Sequence, residues 1–131
     1  MNAVFADTFY FLALVNEQDS AHAAAVGYEA PVGLITTAWV LTEVGDALSA
    51  PENRPAFLRL LDTLRETPDI RVLEPATALF ERGVQLFRER PDKEWSLTDC
   101  ISFAAMREAG ITEALTGDRH FEQAGFRALL K

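Results

Sequence analysis

The stretch Ala3-Val4-Phe5-Ala6-Asp7-Thr8-Phe9-Tyr10-Phe11-Leu12-Ala13-Leu14-Val15 decides how this chain is read. Ala3–Ala6 is apolar without alternation, as in a short strand buried on both faces. Asp7 ends it, and Thr8–Val15 continues with helical character. A carboxylate between apolar segments is costly to bury unless it is paired, hydrogen-bonded or bound to a cation. Three more acids keep similar company: Glu43 in TTAWVLTEVGDAL, Asp99 in WSLTDCISFAAM and Asp118 at the end of ITEALTGD.

Outward from that opening, strands and helices alternate. With Asp19 or Ser20 as cap, a helix is expected over Ala21–Ala30, then a strand at Gly33–Thr36 and a helix over Ala38–Ser49 that stops before Pro51. Phe57, Leu58, Leu60, Leu61 and Leu64 mark one broad face of a helix over Pro55–Glu66. Ile70–Leu73 reads as a strand, Ala76–Glu89 as a helix and Arg88–Lys93 as a charged connection. Leu97–Ala109 is expected as a helix with Gly110 as its C-cap. Thr112–Leu115 follows as a strand, then a short helix or turn at Arg119–Gln123 and a final strand at Phe126–Leu130. This alternation implies βαβ units, hence an α/β fold with a parallel sheet covered on both faces. No repeat or linker divides the 131 residues, so a single domain over 1–131 is expected.

Composition narrows the function classes. The 49% apolar content argues against disorder. A formal net charge of −8 argues against binding nucleic acid through a broad basic face. It leaves room for a nuclease, because a bound metal neutralises acidity where the phosphate sits. Cys100 is the sole cysteine, which excludes an internal disulfide and a Cys-based zinc site; within an apolar helical run it reads as a buried, inert thiol. The longest apolar run, Phe9–Val15, is far shorter than a membrane span, and the N-terminus lacks the basic region of a secretion signal. A cytoplasmic location without membrane contact is expected.

Asp7 falls at the carboxyl end of the first strand and Asp118 just past that of the fourth. In open α/β sheets, ligands bind outside those ends, where the strand order reverses. Glu43, in the helix after the second strand, and Asp99, in the first turn of the helix before the fourth, can reach the same rim. Each acid also has a local alternative. Asp7 and Asp118 can cap helices, Asp99 can form a capping box with Ser96, and Glu43 can be solvated. Capping and metal binding are compatible, because a carboxylate has two oxygens. Clustered carboxylates do not all stay ionised without a cation, and oxygen-only donors select Mg²⁺ or Mn²⁺ over Zn²⁺. Metal-assisted phosphodiester hydrolysis is the chemistry that fits.

Taken in order, Val4-Phe5-Ala6-Asp7-Thr8, Thr42-Glu43-Val44, Trp95-Ser96-Leu97-Thr98-Asp99-Cys100-Ile101-Ser102-Phe103 and Leu115-Thr116-Gly117-Asp118-Arg119-His120-Phe121 resemble the PIN-domain ribonucleases, and among them the VapC-type toxins of type II toxin–antitoxin systems. The resemblance spans essentially the whole chain. It implies a three-layer α/β/α fold with a central parallel sheet of about five strands in the order 3-2-1-4-5. It also implies a Mg²⁺ or Mn²⁺ site and an RNA substrate. Asp7, Glu43, Asp99 and Asp118 match the family's catalytic acidic quartet, and Thr8 its small hydroxyl position. Asp7 and Asp99 are expected to hold the metal directly or through water. Glu43 is expected to act through a bound water or in activating the nucleophile. Asp118, in a turn, is the weakest ligand of the four, suited to a second metal or a supporting contact.

Ser96 and Thr116 are expected to hydrogen-bond the ligands, and Arg119 and His120 to meet substrate or steady the turn. The partners implied are RNA, a VapB-type antitoxin and a second copy of the chain in a homodimer. Phe9, Tyr10, Phe11, Leu12 and Leu14 offer more apolar surface than one sheet face needs. Arg82, Arg88, Arg90 and Lys93 form the densest basic stretch, read as a solvated face or as RNA-backbone contacts. Trp39 and Trp95 fit the core or base stacking.

Three alternatives stand beside this reading. One is a PIN-domain RNA-processing nuclease without a toxin role. Another is a non-catalytic PIN binding module, whose signature would be loss of two or more acids; none is lost here. A phosphatase of the haloacid dehalogenase type would want an Asp two positions after Asp7, where Phe9 stands.

Overall fold

A computed structural model describes residues 3–29 and 33–131. The described elements run β1 (Val4–Ala6), α1 (Thr8–Val15), α2 (His22–Gly27), β2 (Leu34–Thr37), α3 (Ala38–Ala47), α4 (Arg54–Glu66), β3 (Ile70–Leu73), α5 (Thr77–Glu89), α6 (Leu97–Ala109), β4 (Glu113–Leu115), α7 (Arg119–Gln123) and β5 (Arg127–Ala128). The five strands pair in parallel in the order β3-β2-β1-β4-β5, flanked by helices, which is the order that the resemblance implies. Phe5 sits opposite both Ile35 and Ala114, and all three residues of β1 are buried, as its unbroken apolar run requires. The order reverses at β1, with β2 on one side and β4 on the other. The carboxyl ends of β1 and β4 therefore open on one crevice.

α6 is the helix that positions the site from outside the sheet. Its buried row includes Cys100, Ile101, Phe103 and Met106. Phe103 meets Trp95 and Phe121 edge to face, with ring centroids 5.0 and 4.9 Å apart. α5 lies against α6 at Gly83, where a Cβ atom would stand 2.3 Å from Ile101 Cγ1 and 3.0 Å from its Cα. Only glycine allows that approach.

Several boundaries differ from the sequence expectation, each for a local reason. The helix expected over Ala21–Ala30 ends at Gly27, a poor helix former, and Ala30 lies outside the described residues. Asp19 spends its side chain on the Ala21 N–H at 2.8 Å, ordering the turn ahead of the helix. β2 runs to Thr37, whose backbone is still extended while its hydroxyl accepts the Val40 N–H and caps α3, so the helix starts directly after the strand. α3 stops at Ala47, short of Ser49. β5 keeps only Arg127–Ala128 of the expected Phe126–Leu130; at its start the Phe126 N–H turns back onto the Phe121 carbonyl at 2.9 Å, while the Leu129 and Leu130 N–H groups still bond the Ala114 and Thr116 carbonyls. Gly110 caps α6 in the left-handed conformation, φ +70°, as expected. Among the described residues, no helix is long and apolar enough to cross a membrane.

Candidate active site

Asp7 occupies the N-cap position of α1, yet its side chain does not cap the helix. Instead Oδ2 accepts a 2.8 Å hydrogen bond from Thr116 Oγ1, at the end of β4. The same hydroxyl accepts the Asp118 N–H at 3.1 Å, so one threonine ties the first and fourth acids together. Asp118 Oδ1 accepts the His120 N–H at 2.9 Å and caps α7. Asp99 closes the capping box of α6. Ser96 Oγ accepts the Asp99 N–H at 3.0 Å, and Asp99 Oδ2 accepts the Ser96 N–H at 3.3 Å. Glu43 Oε1 accepts a hydrogen bond from Thr8 Oγ1, which joins α3 to the start of α1.

These anchors share a pattern. Each of the four acids commits one carboxylate oxygen to the scaffold, while its other oxygen makes no hydrogen bond of normal geometry among the described residues. All four line one cavity of about 490 Å³, together with Thr8, Phe9, Leu12, Glu94, Ser96 and His120. Within it Asp99, Asp118 and His120 form the tightest group, with one donor atom from each inside 4.8 Å of the others. His120 Nδ1 lies 3.2 Å from Asp99 Oδ2 and 3.4 Å from Asp118 Oδ1. Asp7 and Glu43 complete the cavity from the β1 and α3 sides. Phe9 walls it, its ring so close to Gly117 that a Cβ there would stand 2.5 Å from Cζ.

The charges oppose one another. Burial pushes the Asp7 carboxyl from 3.8 up to about 7; the Thr116 hydrogen bond and, less strongly, the Thr8 backbone N–H resist, and the charges of Asp99 and Glu43 push further in the same direction. Burial also raises Asp99, followed by repulsion from Asp118, against the hydrogen bonds of His120 and Ser96. A divalent cation would relieve this repulsion. The four carboxylates offer hard oxygen donors with free lone pairs, which suit such a cation. Cys100 is no part of this chemistry, since burial and the neighbouring Asp99 push its thiol up to about 11.

Every sequence-derived site residue except Arg119 lines the cavity or hydrogen-bonds a residue that does; Arg119 is exposed beside Asp118. Glu94, a fifth carboxylate on the cavity wall, escaped the sequence reading. It sits in a charged connection, and its only signal is its place directly before Trp95. Of the two tryptophans, Trp95 is buried and donates to Gln123 Oε1 at 3.0 Å, and Trp39 stacks on Phe80. A larger groove of about 740 Å³ lies between α3 and α4, lined by Leu41, Phe57, Leu58, Leu61 and Val72 among others. It holds none of the four acids, so the polar chemistry belongs to the smaller cavity.

Comparison with known proteins agrees with this geometry. The sequence profile of the PIN domain matches residues 4–127. The chain is 30% identical over 125 residues to the 23S rRNA-specific endonuclease VapC20 of Mycobacterium tuberculosis, covering 94% of this chain and 95% of that protein. The crystal structure of that VapC20, described as a sarcin–ricin loop cleaving toxin, superposes with a TM-score of 0.84 at 29% identity, over 94% of this chain and 95% of the other. VapBC2 from Rickettsia felis, solved bound to a DNA fragment from its promoter, shares the fold with a TM-score of 0.71 at 12% identity, over 96% of both chains. With its sheet order, its acidic cavity and these matches, the chain belongs to the PIN-domain family, in its VapC-type branch.

Proposed function

We propose that this single-domain protein is a Mg²⁺- or Mn²⁺-dependent endoribonuclease, the toxin of a VapBC-type pair, with 23S ribosomal RNA as its target. The observation that carries this reading is the set of four carboxylates around one cavity, each with one oxygen tied and one left open. Asp7 and Asp99 hold the ion, with Asp118 as a further ligand from the α7 turn. When bound, the ion lowers the pKa of a water ligand and stabilises charge on a phosphoryl oxygen. Thr8 fixes Glu43 so that its open oxygen can take a proton from the attacking water. His120 Nδ1 keeps the Asp99 and Asp118 carboxylates side by side. Arg119, exposed beside Asp118, pairs with the phosphate.

The choice of RNA rests on the VapC20 relative, a 23S rRNA-specific endonuclease by name. A VapB-type antitoxin as partner is supported by the fold shared with solved VapBC assemblies. A homodimer and a cytoplasmic location complete the proposal. The test is cleavage of a hairpin RNA carrying the sarcin–ricin loop, with Mn²⁺, Mg²⁺ or EDTA. Wild type should cut with either metal and not with EDTA. Asp99→Asn should lose at least about 100-fold in rate, on the scale of removing a group that acts in the transition state. An Asp99→Asn protein as fast as wild type would sink the site assignment. Expression should arrest growth; an active nuclease that does not do so would point to RNA processing instead.

A further inference from the structure

At the corner between α5 and α6, a second pocket of about 490 Å³ is lined by Val84, Phe87, Arg88, Arg90, Pro91 and Lys93. In a chain of net charge −8, this lining holds three cations and no acid. The nearby acids are accounted for. Glu89 lines a different groove across α5, Asp92 is held by Arg90 through bonds of 3.0 and 2.9 Å, and Glu94 lines the acidic cavity. Among the described residues the Arg88 guanidinium hydrogen-bonds Gln85 at 3.2 Å, and neither Arg88 nor Lys93 forms an ion pair. Phe87 is 51% exposed. A lone exposed ring between cations suits a base and its phosphate better than an extended apolar protein surface.

The pocket is also tied to the acidic cavity. Ser96 stands three positions after Lys93, so their Cα atoms lie no more than about 11 Å apart. Between them Trp95 is buried, edge-on to Phe103 and hydrogen-bonded to Gln123, with the Arg90 guanidinium 5.3 Å from its ring centroid. This packing holds the two pockets at a fixed separation.

We propose that Phe87, Arg88 and Lys93 form the subsite for a nucleotide flanking the scissile phosphate of the RNA substrate. The base stacks on Phe87, and its phosphate is met by Arg88 and Lys93. The inference rests on the nuclease reading above.

The test uses the full chain with Mn²⁺ and the sarcin–ricin hairpin RNA. Phe87→Ala should raise KM at least five-fold with kcat within two-fold of wild type, since stacking on one ring is worth about 1–3 kcal/mol. Phe87→Trp should restore KM. Lys93→Ala should raise KM and reduce the salt slope of log kcat/KM by about 0.7, the value for one phosphate contact on a single strand. Phe87 is exposed, so these variants should melt as wild type does. A Phe87→Ala enzyme with wild-type KM overturns the subsite. So does a Phe87→Ala protein whose only change is its solution mass by light scattering, because this face would then belong to a protein interface. If wild type cuts no RNA at all, it is the nuclease reading that has failed.

Discussion

Asp7 is a carboxyl group that burial moves from 3.8 to about 7. Its folded-state value lies above its unfolded one, so it favours the folded protein at low pH, and that advantage is lost as pH rises towards and through 7. The loss approaches about 4 kcal/mol above pH 8, at the rate of 1.36 kcal/mol per pH unit. Asp7→Asn should therefore raise the metal-free melting temperature by at least about 5 °C at pH 8 and change it little at pH 4, given roughly 3–5 °C per kcal/mol for a domain of this size. Calorimetry in EDTA at the two pH values checks this; equal melting at pH 8 would mean that Asp7 carries no such strain. Thr116→Val removes the donor that opposes the shift. It should weaken Mn²⁺ binding by about 10–100-fold in isothermal titration while leaving the ion's direct ligands in place. The acids were legible in the sequence because a charge among apolar neighbours is conspicuous. Their anchors were less so. Thr116 stands 109 residues from Asp7, and only the sheet order brings them together. Glu94, with charged neighbours on its N-terminal side, carried no comparable signal.

α6 was the most legible helix, with a capping box at one end and a glycine C-cap at the other. Its placement was not legible, because nothing in the spacing of α5 shows that Gly83 sits against Ile101. Gly83→Ala should force the two helices apart and cost about 1–3 kcal/mol, the usual range for overpacking. Since Asp99 lies in the first turn of α6, the same variant should also weaken Mn²⁺ binding. A control separates the two effects. Gly110→Ala, at φ +70° with open space around it, should lower the urea midpoint by a cost of about 1 kcal/mol and leave Mn²⁺ affinity unchanged. Equal loss of Mn²⁺ affinity in both variants would deny α5 its positioning role. The small elements were hardest to place from sequence. β5 has two residues and α2 six, lengths at which turn hydrogen bonds decide what forms.

Over the whole molecule, the sheet order sets the site and the acids set the conditions for folding. Mn²⁺ should raise the melting temperature of wild type, by more at pH 8 than at pH 6, because Asp7 and Asp99 must release protons to bind an ion. EDTA should reverse the gain, and a pH-independent gain would place the ion elsewhere. The paired oxygens, one tied and one open, have a further consequence. Each side chain surrenders its rotational freedom while the chain folds, before any ion arrives. Coordination then orders little more, and association is spared that entropic cost. The burden falls on the ion-free molecule, which keeps like charges close together with only the His120 ring between two of them. Such a molecule opens more often than its loaded form, and a protease that cuts the open state would remove it first.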